Sequence, residues 1–247
     1  RASKELTTKS RENFTKILSS AKNRRAFGKL LNKLSSNKVM IECLTVHGKS
    51  RQETLLSVTI SHGWESNVLF LFRRIAESFE NDELKAILKT KGVEGENILC
   101  SACKNPNLAS IECVWEYIEN YFKPREVVKL IHKKDKNGDN VLHYAARYAQ
   151  SDKILSVIFT KINDFIKEPE DLRKFLLTKG NQDMNALLQS VNNDETLLFM
   201  FESIFCEHLE LKTFIYESDS SGENFLIKLD QFGSEKILQV SYNDLQY

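Results

Sequence analysis

Cys100 and Cys103 are separated by two residues, and Cys113 follows ten positions later, a grouping of thiols of the kind that zinc sites use. A tetrahedral site needs a fourth ligand, and no second Cys/His pair stands at a finger-like distance. His143 has the chemistry of a general base. However, His47, His62, His132 and His208 are scattered along the chain with no serine or cysteine nucleophile motif beside them. Gly92-Val-Glu-Gly95 has the glycines of a phosphate loop but lacks its lysine and its strand-to-helix setting. No catalytic residue, metal, cofactor or small-molecule substrate is expected, and the chain is read as non-enzymatic.

Charge is the more informative chemistry. The 247 residues hold 35 basic and 34 acidic side chains, a net of +1. Residues 1–38 alone carry eleven Lys/Arg against two glutamates, so the remainder is net −8. Lys22, Arg24, Arg25 and Lys29 form the densest basic patch, suited to an acidic protein, a nucleic acid or an anionic lipid surface. Phe14 and Phe27 are its only aromatic residues, which leaves base stacking unsupported. Five cysteines, an odd number, in a chain large enough to build a core predict free thiols in a reducing compartment, intracellular and either cytoplasmic or nuclear. No apolar run is long enough to span a bilayer, and no segment reads as a signal peptide.

Positioning such side chains falls to helices. Glycine (9) and proline (3) are too few for a fold that turns every 8–12 residues. Five segments align on a small polar residue two positions before an apolar one: Thr54, Asn97, Asn140, Asn185 and Asn224, spaced 43, 43, 45 and 39. At anchor plus 14 stand Val68, Ile111 and Ile154; at plus 17, Leu71, Val114 and Val157; at plus 18, Phe72, Trp115 and Ile158. At plus 25 come Phe79, Phe122 and Phe165. Spacings of 3, 4 and 7 mark one buried helical face. Apolar triplets at i, i+3, i+4 then predict a short third helix. They are Leu84/Ile87/Leu88, Val127/Leu130/Ile131, Leu172/Phe175/Leu176 and Leu211/Phe214/Ile215. Pro124 and Pro169 open two of these helices, where a missing N–H is harmless. Each unit reads as turn, helix, helix, short helix, and stacking such units makes a continuous core.

Asp135-Lys-Asn-Gly138-Asp-Asn140-Val-Leu142-His143-Tyr-Ala145-Ala146 resembles the opening of an ankyrin repeat. Asp135 starts the turn, Gly138 supplies positive φ, Leu142 enters the core and the alanines allow close helix approach. Gly95 and Gly222 keep the turn glycine, whereas Asp183 and Gln52 replace it. The period exceeds the family's 33 residues by about the length of the extra helix. The fold expected is therefore all-α: a helical repeat solenoid of ankyrin-like units with an additional short helix per repeat. A HEAT or armadillo stack, which repeats at 40–47 residues, is the alternative. The expected organisation is a basic capping unit over 1–53 and repeats near 54–96, 97–139, 140–184, 185–223 and 224–247, in one continuous domain.

The resemblance implies a protein-interaction scaffold whose partner meets the turn tips and the exposed side of each first helix. Those positions are Lys136, Asn137, Asp139, Tyr144, Arg147 and Tyr148 in the best unit. The preceding unit offers Val93, Glu94, Glu96, Ser101 and Lys104, and the following one Asn181, Gln182, Met184, Gln189 and Asn192. Tyr144, Arg147 and Tyr148 form the expected hot spot. His143 is expected to tie adjacent turns rather than to catalyse. The third helices offer an alternative convex or self-association face. A targeting module for a catalytic domain outside the segment, and an adaptor acting through the basic N-terminus, are the other functional classes.

Overall fold

The structure, a computed structural model, describes residues 54–62, 65–104 and 107–232. The expected capping unit 1–53, with Lys22, Arg24, Arg25 and Lys29, lies outside the described residues, as does 233–247. Helices are the dominant element, and among the described residues the sole β pairing is a single bridge between Ser218 and Asn224. No helix among them is long and apolar enough to cross a membrane. The chain divides between Val127 and Val128 into two compact units.

The first unit contains α1 (Leu55–Ser61), α2 (Glu65–Ser78), α3 (Asn81–Leu88), α4 (Ile98–Cys103) and α5 (Leu108–Tyr121). Helix α6 (Pro124–Ile131) runs across the division. α1 packs on α4, α2 on α5 and α3 on α5. Val68, Leu71, Phe72 and Ile75 of α2 and Ile111, Val114, Trp115 and Ile118 of α5 are buried at the same offsets from Thr54 and Asn97. Each such aliphatic side chain contributes about 1.5–3 kcal/mol by leaving water, so this shared stripe fixes how the two helices are rolled.

The second unit contains α7 (Val141–Tyr148), α8 (Asp152–Phe165), α9 (Pro169–Leu176), α10 (Ala186–Ser190), α11 (Asp194–Phe199), α12 (Leu211–Ile215) and α13 (Phe225–Phe232). α11 continues with π-helical winding over Met200–Cys206, which buries Met200, Phe201, Ile204 and Phe205. Phe201 stacks on Phe225 and meets Phe214 edge-on. α7 packs on α10, α10 on α13, and α8 on α11.

One sequence expectation slips here. Val157 and Phe165 are only half-buried, as Phe79 is after α2, while Leu155, Phe159 and Ile166 are buried beside Ile154, Ile158 and Ile162. α8 starts twelve residues after its anchor, whereas α2 and α5 start eleven after theirs. The extra residue rolls the helix by about 100° and moves its apolar stripe one position on.

Five helix starts share one device. Thr54, Asn97, Asn140 and Asn185 cap α1, α4, α7 and α10 with side-chain oxygens that accept backbone N–H groups at 2.9–3.2 Å. Asn224 accepts the Ile227 N–H in the same way at 3.1 Å. Such a cap is worth about 1 kcal/mol over alanine, and it explains why a short polar residue recurs there.

Candidate functional site

The turns leading into α4, α7, α10 and α13 are built alike. Over Gly92–Glu96, Asp135–Asp139, Gly180–Met184 and Asp219–Glu223, the first residue donates its N–H to the carbonyl of the fifth at 2.8–3.0 Å. The fourth residue donates back to the carbonyl of the first, and its φ is positive: 80° at Gly95, 90° at Gly138, 56° at Asp183 and 81° at Gly222. Asp183, which replaces the glycine in sequence, thus takes the same left-handed conformation, one that Asp tolerates better than most residues.

Polar ties lock the turns before α4, α7 and α13 to the helices behind them. Asp135 Oδ1 accepts the Asn137 and Asp139 N–H groups, and its Oδ2 accepts the Tyr144 hydroxyl at 2.8 Å. Asp219 repeats this with the Ser221 and Glu223 N–H groups and the Lys228 ammonium. A second tie joins the residue before the cap to the one seven after it. It pairs Glu96 with Lys104, Asp139 with Arg147 at 2.6 Å, and Glu223 with Gln231 at 2.7 Å.

Further ties in the second unit run from one turn to the next. Asp139 Oδ1 accepts the Asn181 N–H and the Gln189 side-chain amide, each at 2.8 Å, while Gln189 Oε1 accepts from Arg147 at 2.7 Å. Burial works to raise the pKa of Asp139. The Asn181 N–H, the Gln189 amide and the Arg147 guanidinium outweigh it and hold the carboxyl below its ordinary range. His143 Nε2 donates to the Met184 carbonyl at 3.2 Å, and its Nδ1 accepts the Asn140 N–H. Burial pushes this imidazole down to about 4, although Asp139 pulls the other way. Neutral and enclosed, it braces two turns. Lys134 donates to the Lys179 carbonyl at 2.7 Å, and Lys179 donates to the Ser218 carbonyl at 3.2 Å.

These ties correct part of the expected partner surface. Tyr144 is 2% exposed, and Ser101, Glu96, Asp139 and Gln189 are also buried, so they are removed from any contact face. Four of the five are consumed by ties within the fold: Tyr144 on Asp135, Glu96 on Lys104, Asp139 and Gln189 on each other and on Arg147. Ser101 is enclosed within α4. The expected hot spot therefore loses Tyr144. Lys136, Asn137, Tyr148, Glu94, Gln182 and Asn192 are exposed, and Val93, Lys104, Arg147, Asn181 and Met184 are half-buried. Tyr148 keeps Arg147 over its ring at 5.8 Å.

Cys100, Cys103 and Cys113 are free thiols in the core. Burial pushes the Cys103 thiol up to about 12, and burial with the nearby Glu116 pushes Cys113 up to about 11, so neither offers a thiolate near neutral pH. Among the described residues no group of three or more His, Cys, Asp or Glu is placed to hold a metal ion. Lys134 and Lys179 escaped the sequence reading, although lysine recurs six residues before the anchor at 91, 134 and 179. That recurrence was the available signal. No protein-family model and no curated protein matches the sequence.

Proposed function

We propose that the chain is a helical repeat solenoid of ankyrin-like units, each with an additional short helix, acting as a non-enzymatic protein-interaction scaffold. The observation that carries this reading is the recurrence of one turn geometry at Gly92, Asp135, Gly180 and Asp219, with buried polar ties beneath and exposed tips above. A surface braced in this way has little conformational freedom left to lose when a partner docks, and preorganisation of that kind strengthens binding. The contact residues are then Lys136, Asn137, Gln182 and Asn192 with Tyr148 and Arg147 in the second unit, and Glu94 with Val93 and Lys104 in the first. Reduced core thiols support an intracellular location, in cytoplasm or nucleus.

The test is affinity capture with the full chain and with a variant carrying Asn137→Ala, Tyr148→Ala, Gln182→Ala and Asn192→Ala. All four side chains are at least partly exposed, so the helical circular-dichroism signal and melting temperature should be unchanged. Proteins captured specifically by the native chain should be lost or reduced at least about tenfold, as expected when an aromatic anchor is removed. An identical captured set for both chains would refute the turn-tip surface.

A further inference from the structure

Certain side chains reach forward from one repeat to the next at fixed positions. His143, three residues after its anchor, meets the Met184 carbonyl of the following turn, and Ala146 lies one helical turn further along the same face. His143, Ala146, Leu188 and Val191, which share these two positions, are at most 3% exposed. The third helices reach forward as well. Lys85 and Lys89 of α3 pair with Glu126 at 3.4 and 3.2 Å, and Lys89 lies over the Phe122 ring at 5.3 Å. His132, which like Lys89 directly follows an apolar triplet, meets the Phe175 ring edge-on at 5.0 Å.

The last described repeat keeps these positions and leaves them open. Ile227, the counterpart of His143 and Leu188, is 44% exposed, and Tyr216, the counterpart of Lys89 and His132, is 57% exposed. They are two of the four large apolar side chains exposed among the described residues. Asp230, the counterpart of Ala146 and Val191, and Lys212, the counterpart of Lys85, are exposed too. A terminal repeat ordinarily turns a polar face outward. Here an aromatic and a branched aliphatic side chain stand where earlier repeats are covered, so the edge has the makeup of an interface.

The side chains on this edge also select what covers it. In the earlier repeats the cover is an aromatic ring with a carboxylate: Phe122 and Glu126 receive Lys85 and Lys89. The open edge itself holds such a set, Tyr216 and Asp230, together with the lysine it would receive, Lys212. Lys212 and Asp230 stand on α12 and α13, which pack on each other. Two such edges related by a two-fold axis place each lysine against the carboxylate of the other copy, the self-complementarity that an isologous interface requires. A partner of one strong charge, an anionic membrane included, would be repelled by one of the two.

We propose that a second copy of this chain docks on the edge formed by Lys212, Tyr216, Ile227 and Asp230, giving a two-fold dimer. The inference rests on the solenoid reading and adds self-association to it.

Sedimentation equilibrium of the full chain, from about 1 to about 100 µM, reads the mass directly. The native chain should reach twice the monomer mass and stop there. Tyr216→Ser with Ile227→Asp should raise the dissociation constant at least about tenfold, because both apolar anchors are lost. Aspartate suits the first turn of a helix, so circular dichroism should be unchanged, and Tyr216→Ser with Ile227→Ala, which adds no charge, should weaken the dimer in the same direction. An equal mixture of Lys212→Asp and Asp230→Lys chains should dimerise more tightly than either chain alone. Leu69→Asp, which alters an exposed apolar residue on α2, should dimerise like the native chain. A native chain that stays monomeric overturns the proposal, as do masses that keep growing beyond the dimer. Edge variants that dimerise like the native chain, a mixture no tighter than its components, or loss of the dimer in Leu69→Asp also overturn it. A monomer whose edge variants melt lower assigns the edge to the chain's own residues 233–247, and a monomer whose edge variants lose a captured protein assigns it to a different partner; both outcomes count against a second copy. The four-alanine turn-tip variant keeps the whole edge. If it loses its captured proteins while the native chain is monomeric, the scaffold reading stands and this inference falls. If it captures the native set while the edge variants abolish the dimer, the turn tips fall and the dimer stands.

Discussion

Asp139 and His143 show how strongly single buried polar groups couple the turns of the second unit. Asp139 joins a backbone N–H, an amide and a guanidinium, while His143 holds its own helix cap and the carbonyl of Met184. Both groups lose their stabilising contribution as pH falls, each in its own window. His143 is neutral in the fold, with a pKa near 4, whereas the unfolded chain takes up that proton near the ordinary histidine value of about 6.5. The unfolded state therefore binds more protons between these values. The stability linked to His143 is fully present above about pH 6.5 and is lost as pH falls toward 4. The depressed Asp139 adds a further loss only below the ordinary aspartate range. Thermal melts from pH 7.5 to 4.5 should show the native melting temperature falling by several degrees. His143→Leu, the residue type found at the equivalent position 188, should melt lower at pH 7.5, because the Met184 carbonyl loses one of its two donors and the Asn140 N–H loses the imidazole, but should follow a flatter profile. Parallel profiles for the two chains would remove His143 as the titrating group.

At the scale of elements, turns and caps decide where each helix begins, and glycines separate two physical effects. Gly222 has φ +81° with nothing within 4 Å of an added Cβ, so Gly222→Ala strains only the backbone, by about 1–2 kcal/mol. Gly180 is different. A Cβ there would lie 2.2 Å from Asp139 Oδ1 and 2.7 Å from the His143 ring, both fully enclosed. Gly180→Ala must displace the bridge between two turns and should destabilise the protein by about 3 kcal/mol or more, the range for breaking a buried ionic network. Chemical denaturation of the two variants should rank them in this order, and equal losses would contradict the close approach.

The cap positions were legible as recurring polar anchors, and their capping role emerged from the structure, because a helix start needs a short polar acceptor at a fixed offset from the first apolar residue. The third helices were readable from proline and their i, i+3, i+4 triplets. The roll of α8 was hidden, because one extra residue before its start leaves the apolar composition unchanged while moving the stripe. The burial of Asp139 and Gln189 was hidden as well. A polar side chain looks solvent-bound until its partner is known, and here the partners lie 42 and 50 residues away.

At the scale of the whole molecule, the proposed solenoid implies that units hold each other chiefly through nearest neighbours, so a broken tie should weaken one part of the chain before the rest. Asp139→Ala is the sharpest cut available. It strips the Arg147 charge of its carboxylate, leaves it the Gln189 Oε1 as an acceptor, and takes the acceptor from the Gln189 amide and the Asn181 N–H. Breaking a buried pair costs about 3–5 kcal/mol. Because the Arg147 side chain is 31% exposed, water recovers part of this, and about 2–4 kcal/mol remains. Both tryptophans, Trp64 and Trp115, precede the division at residue 127, and Trp115 is buried on α5. In a Trp64→Phe background the Trp115 fluorescence reports the first unit, while far-ultraviolet circular dichroism reports helices of both. In urea, Asp139→Ala should lower the circular-dichroism midpoint while leaving the fluorescence midpoint near its native value. Separated transitions of this kind are incompatible with all-or-none unfolding. They would mean that the turn network stabilises the second unit locally. If both probes instead shift together by the same amount, the two units unfold as one, and the ties around Asp139 contribute to the stability of the entire chain.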